Sequence, residues 1–144
     1  MDYTLEVITL PVSDLDRAKD FYEKKCGFTA DLDAEVAPGV RIIQITPPGS
    51  RCSIAMIQGL PSAPGHAAME PGTLHGLQLC VTDIEAARAE LAGRGVDVTP
   101  VRHLGEQGWT DGRGEAEWSS FCFFADPDGN SWAVQEAPSP LAER

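Results

Sequence analysis

Leu10-Pro11-Val12-Ser13-Asp14-Leu15-Asp16-Arg17-Ala18 reads as the end of a strand turning into a helix, and the same pattern returns at Leu79-Cys80-Val81-Thr82-Asp83-Ile84-Glu85-Ala86-Ala87. The two stretches keep one spacing, Val12 matching Val81 and Ala18 matching Ala87. A hydroxyl residue followed three positions later by a carboxylate marks a helix N-terminus, because the hydroxyl accepts from a first-turn amide that has no intrahelical partner. Ser13 with Asp16 and Thr82 with Glu85 both fit, so Ser13 and Thr82 are the expected caps. Beyond them Leu15, Ala18 and Tyr22, then Ile84, Ala87 and Leu91, fall at i, i+3, i+7 and form one apolar helical face each. Gly27 and Gly95 stand where each helix should stop.

The second half of each copy repeats too. Ile42-Ile43-Gln44-Ile45 leads through Thr46-Pro47-Pro48-Gly49-Ser50 into Cys52-Ser53-Ile54-Ala55-Met56. Phe121-Cys122-Phe123-Phe124 leads through Asp126-Pro127-Asp128-Gly129-Asn130 into Trp132-Ala133-Val134-Gln135. These are two hairpins with Pro and Gly in their turns. The second copy is longer between Thr99 and Trp118, a loop that carries Trp109, Asp111, Arg113 and Trp118. The fold class expected is α+β: two βαβββ modules over residues 1–58 and 74–137, a Pro/Gly/Ala/Ser-rich linker over 59–73, and a tail over 138–144. One such module leaves a sheet face it cannot bury alone. Two together are expected to form a concave mixed sheet around a cleft, with the helices outside, and a cleft between modules is a usual place for a ligand.

Composition narrows the function. The net charge of −11, from 22 acidic and 11 basic residues, disfavours nucleic acid and anionic membranes, which need clustered Lys and Arg. It favours cationic small molecules, although an acidic surface is first of all a solvated one. The apolar runs are of strand length, too short to span a bilayer. Met1-Asp2-Tyr3-Thr4 lacks the basic start and apolar core of a signal peptide, and the four cysteines have no zinc or redox spacing. A cytoplasmic protein with reduced thiols is expected. No G-x-S-x-G or P-loop is present.

The segment Val12 to Tyr22, followed by Gly27-Phe28, resembles the vicinal oxygen chelate superfamily, and the D-P-D-G turn at Asp126 to Gly129 resembles it again. That superfamily includes glyoxalase I, extradiol dioxygenases, thiol transferases of fosfomycin resistance and bleomycin-resistance binding proteins. The resemblance spans about Leu5 to Ala137 and implies a glyoxalase-like fold. Its metal-dependent members hold a divalent ion with His or Glu from four strands, which leaves positions open to chelate two substrate oxygens. By the resemblance, one ligand lies five residues before the strand-to-helix Val and another four residues after the turn Gly. Here those positions are Val7, Gly76, Ser53 and Ala133, so no metal and no cofactor is expected. His75, next to Gly76, would need a bulge to turn it toward the cleft. His66 lies in the linker and His103 in the long loop.

Counting by twos from the vacated positions brings Thr9, Ala55, Gln78 and Gln135 to the same wall. With Gln44 and Phe124 from the middle strands, and Trp109 and Trp118 as an aromatic lid, the expected ligand-binding set is Thr9, Gln44, Ser53, Gln78, Trp109, Trp118, Phe124 and Gln135. A small, neutral, amide-bearing wall suits hydrogen bonding to an organic molecule better than proton abstraction. Two functions follow: a metal-free binder that sequesters or carries a small organic molecule, as in the bleomycin-resistance branch, or a metal-independent cyclase, isomerase or lyase acting on a natural-product-like substrate. A metal-dependent glyoxalase or dioxygenase comes third, and whether the chain is an enzyme stays open. The family resemblance also implies a homodimer.

Overall fold

The computed structural model describes residues 1–65 and 67–138; His66 and the tail beyond 138 lie outside the described residues. The first half contains β1 (Val7–Thr9), α1 (Leu15–Asp20, continuing as π-helix Phe21–Lys25), β2 (Thr29–Ala37), β3 (Val40–Thr46) and β4 (Ser53–Gln58). The second contains β5 (Leu77–Val81), α2 (Ile84–Gly93), β6 (Arg102–Gly105), β7 (Gly108–Asp111), β8 (Ser120–Ala125) and β9 (Ser131–Glu136). The first sheet has the order β1-β4-β3-β2 and the second β5-β9-β8-β6-β7. In both, the first and last strands pair in parallel and the remaining pairs are antiparallel. The repeat read from sequence is therefore a repeat of topology, and the fold is α+β. The extra length of the second copy forms the hairpin β6–β7, which adds a fifth strand that the βαβββ reading does not contain.

The chain divides into two compact units. One holds Met1–Leu74 together with Asp126–Asn130; the other holds His75–Ala125 and Ser131 onward. In the first, α1 packs on β3 and β4. Leu15, Ala18 and Tyr22 are buried with Ile43, Ile45, Ile54 and Met56. Each fully buried Ile or Met contributes about 2 kcal/mol relative to exposure. In the second, α2 packs on β8 and β9, over Cys122, Phe124, Trp132 and Val134. Burial pushes the Cys122 thiol up to about 11, which leaves it an inert core group.

The helix caps differ from the expectation by one residue. Asp14 accepts from the Arg17 amide and Asp83 from the Ala86 amide, each at 3.0 Å. A carboxylate at this position also meets the positive end of the helix, so it competes well against a neighbouring hydroxyl. Ser13 is engaged elsewhere: its hydroxyl donates to Asp128 Oδ1 at 2.6 Å and its amide to Oδ2 at 3.0 Å.

That bond belongs to a polar knot in the first unit. Asp126, 5% exposed, accepts from the Tyr22 hydroxyl and from Asn130 Nδ2, both at 2.8 Å. Its other oxygen accepts from the amides of Asp128, Gly129 and Asn130, each at 3.0 Å. Asn130, fully buried, also donates to the Pro11 carbonyl and accepts from the Leu74 amide. At Gly72 a Cβ would stand 2.0 Å from the Asp128 carbonyl oxygen, so no other residue fits there without moving the turn.

Removing the hydroxyl in Tyr22→Phe leaves a buried carboxylate one donor short. The expected loss is about 2 kcal/mol of unfolding free energy, read by urea denaturation; a loss below about 0.5 kcal/mol would contradict the role given to this bond. Acid should also destabilise the fold. Hydrogen bonds from Arg41 and then Lys19 hold Asp33 well below the usual carboxylate range. Burial alone would raise Asp128, but the Ser13 hydroxyl and amide, with Arg17, outweigh it and lower the group. Groups depressed in the native state stabilise above their unfolded pKa and lose that contribution as pH falls through the native one. The melting temperature should therefore fall as pH drops below about 4, and Asp33→Asn should flatten that fall.

Candidate functional site

Each sheet has one face under its helix and one turned away from it, and the paired register decides which residues share the second face. In the first sheet Val7 pairs with Ser53, and Thr9 pairs with Ala55, which pairs in turn with Gln44. The side chains of Thr9, Gln44 and Ser53 therefore lie on the face away from α1. Ser53 is buried, with its Oγ 2.6 Å from Thr46 Oγ, and Thr46 Oγ donates to Asp31. Proton accounting orders this chain. A carboxylate only accepts, so the single Thr46 proton goes to Asp31, and Thr46 must then accept from Ser53. Ser53 is left with lone pairs alone. Beyond the end of β1 is a cavity of about 360 Å³, with Thr9, Val12, Ile57, Leu60 and Met69 in its lining.

The face of the second sheet away from α2 carries two rows. One runs Gln78, Ala133, Phe123 across β5, β9 and β8. The other runs Cys80, Gln135, Phe121, Arg102, Asp111 across all five strands. Phe121 and Phe123 lie parallel with centroids 6.0 Å apart, and the Trp109 indole meets both edge-on at 5.5 and 5.6 Å. Such contacts contribute about 1 kcal/mol each beyond area burial. Trp109 remains 53% exposed, so the cluster is an aromatic surface rather than a sealed core. Gln78 Nε2 donates to Gln135 Oε1, and Gln135 Nε2 donates to the Trp118 carbonyl at 2.7 Å. Trp118 has φ 65, a left-handed conformation unusual for a bulky residue, and its carbonyl is the one that receives Gln135.

The expected residues thus gather as two groups, one per sheet: Thr9, Gln44 and Ser53 on the first, Gln78, Gln135 and Trp109 on the second, where Trp118 contributes its backbone carbonyl while also bordering the cavity beside Arg113 and Glu117. Phe124 is not among them. It sits under α2, 4% exposed and stacked on Trp132, and the strand alternation gives its place to Phe123. Phe121 and Phe123 are the residues that linear reading missed. Carrying the register through the Asp126–Asn130 turn would have found them, because Ala133, already assigned to this face, pairs with Phe123.

The four positions of the metal-binding pattern hold Val7, Ser53, Gly76 and Ala133, of which only Ser53 has a donor atom. No group of three or more His, Cys, Asp or Glu among the described residues is arranged to hold a metal ion. Gly76 has φ 88, and His75 Nδ1 lies 2.8 Å from the hydroxyl of Ser131, a residue in phase with Ala133 and Gln135. A second cavity, of about 310 Å³, is bordered by Arg113, Glu115, Glu117 and Glu136. Arg113 pairs there with Glu136 at 2.6 Å, and Glu136 also accepts from the Ile84 amide at the start of α2.

Residues 4–134 match the family model described as Glyoxalase/Bleomycin resistance protein/Dioxygenase superfamily. The chain is 31% identical to TnmS3, an antibiotic binding protein from Streptomyces sp. CB03234, with a TM-score of 0.71 over 94% of this chain and 97% of that one. It is 32% identical to a glyoxalase/bleomycin resistance protein from the same organism, with a TM-score of 0.67 over 92% and 99%. A superfamily member from Sphaerobacter thermophilus DSM 20745 is 29% identical, with a TM-score of 0.68 over 94% and 98%. No curated protein matches the sequence.

Proposed function

Since the chain belongs to the Glyoxalase/Bleomycin resistance protein/Dioxygenase superfamily, we propose that it is a cytoplasmic protein that binds a small, antibiotic-like organic molecule without a metal ion, and so sequesters or carries it. The observation that carries this reading is the exposed face of the second sheet. Trp109, Phe121 and Phe123 offer a broad aromatic surface, Ala133 leaves a low point beside Phe123, and Gln78 and Gln135 supply ordered polar atoms. Convergent polar groups on an apolar wall are what a site for an organic ligand needs. The antibiotic-binding relative and the four metal-pattern positions, with one hydroxyl between them, support the same reading. Free thiols at Cys52, Cys80 and Cys122 suit a reducing compartment.

A homodimer is part of this proposal. Tyr3, Leu5 and Val7 alternate along the start of the chain, are 90%, 72% and 43% exposed, and lead into the edge strand β1. Alternate apolar side chains on an extended segment form one sticky side, which a second copy would cover. Sedimentation equilibrium checks this: Leu5→Asp should shift the protein toward monomer, and a wild type that is monomeric at micromolar concentration would remove the dimer from the reading.

Thermal-shift screening against a panel of aromatic antibiotics should identify at least one that raises the melting temperature. Trp109→Ala and Ala133→Leu should each weaken that ligand about tenfold or more. The first removes an aromatic anchor and, with it, two edge-on ring contacts, so the unliganded melting temperature should drop by several degrees; the second fills the low point with little change in that temperature. Unchanged affinity in both variants would take the ligand off this face. Chemical conversion of the bound molecule would replace binding by catalysis.

A further inference from the structure

Resting on that reading, we infer that the ligand held on the second sheet presents a hydrogen-bond donor, a phenol or amine at the edge of a flat ring, to Gln78 Oε1, and that the Trp118 carbonyl imposes this choice through Gln135. An amide side chain can ordinarily turn either end outward, so a surface glutamine selects for neither donors nor acceptors. Here the freedom is removed in two steps. A backbone carbonyl has no proton to give, so Trp118 fixes Nε2 of Gln135 on its own side, at 2.7 Å. That turns Gln135 Oε1 toward Gln78, which can answer only with its own Nε2. The atom Gln78 turns away from the chain is then its oxygen. Reversing Gln78 would set two carbonyl oxygens against each other, and reversing both residues would set Gln135 Oε1 against the Trp118 carbonyl.

The geometry of the row makes this oxygen reachable from the aromatic surface. Gln78, Ala133 and Phe123 stand opposite one another on three neighbouring strands. Adjacent strands are about 4.8 Å apart, so the amide and the phenyl ring are separated by about 10 Å with only a methyl group between them. That span takes a bicyclic ring lying over Ala133 against Phe123, with a substituent reaching Gln78. The cation on this face, Arg102, is in the other row, beyond Phe121, and is paired with Asp111 at 3.2 Å. At the Gln78 end the amide oxygen offers both lone pairs, whereas Nε2 has one of its two N–H groups committed to Gln135.

Three probes of one ring size separate the outcomes: 2-naphthol, which can donate, 2-methoxynaphthalene, which cannot, and 2-naphthoate, which is an anion. Calorimetric titration of the full chain should give 2-naphthol about tenfold tighter binding than 2-methoxynaphthalene. Gln78→Met should abolish that preference while the ring still binds, and Gln135→Leu, which frees the Gln78 amide to rotate, should narrow it to about twofold. Gln78 is exposed, so its replacement should leave the melting temperature unchanged, and a circular-dichroism melt checks this. Equal affinity for 2-naphthol and 2-methoxynaphthalene in the wild type would overturn the polarity inference and leave ring binding standing. Tightest binding of 2-naphthoate would move recognition to Arg102 and overturn it as well. Failure of all three probes to bind would overturn the aromatic face as a ligand surface and this inference with it.

Discussion

The buried carboxylate of Asp126 is the constraint on which the rest of the first unit is arranged. A charge with 5% exposure is tolerated only when its lone pairs are filled, and here five donors fill them. Three donors are amides of the turn that follows it, so the charge folds its own loop. The remaining two come from Tyr22 and Asn130, both without solvent exposure. Tyr22 lies on the π-helical continuation of α1, and Asn130 in turn holds the Pro11 carbonyl and the Leu74 amide. One buried carboxyl group thereby fixes the entry to α1, its far end and, through Asn130, the residue that follows the 59–73 linker. The cost of burying it is offset locally, and the result is positional definition more than net stability.

A second constraint of the same kind orders the candidate binding face. The Trp118 backbone is held in a left-handed conformation that costs about 1 kcal/mol or more for a non-glycine residue. Its carbonyl then dictates the orientation of two glutamine side chains in sequence. The Ser53–Thr46–Asp31 chain on the first sheet follows the same rule, with a carboxylate in place of the carbonyl. In both, a group that can only accept removes the ambiguity of amides and hydroxyls. Such pre-orientation lowers the ordering cost of binding, which is the usual gain from a preformed site.

Much of this was legible in the chain itself. Period-2 alternation, helical i, i+3, i+7 spacing and the matched segments at Val12 and Val81 carried the strands, the helices and their duplication. Parity placed Thr9, Ser53, Gln78 and Gln135 on faces turned away from the helices, because side-chain alternation along a strand is a property of local geometry. Phe124 was misplaced, since parity inside a single strand says nothing about which of its two sides meets the helix. That was decided by the pairing of Phe124 with Trp132 and of Phe123 with Ala133. At the first helix the cap slipped by one residue for a similar reason: the distant Asp128 carboxylate claimed Ser13, and Asp14 capped in its place.

The sequence by itself determined the duplicated βαβββ plan, the family, and that Val7, Gly76 and Ala133 carry no side-chain donor atom. These follow from residue identity and short-range periodicity, which survive without knowledge of partners. Only the tertiary structure decided that residues more than a hundred positions apart would meet, as Tyr22 does when its hydroxyl donates to the buried Asp126 carboxylate. It also decided that the long loop would become the hairpin carrying Trp109, and that a backbone carbonyl would fix which end of Gln78 faces outward. Each depends on the register between strands and on hydrogen bonds between sequence-distant groups, and neither is encoded in any local stretch of chain.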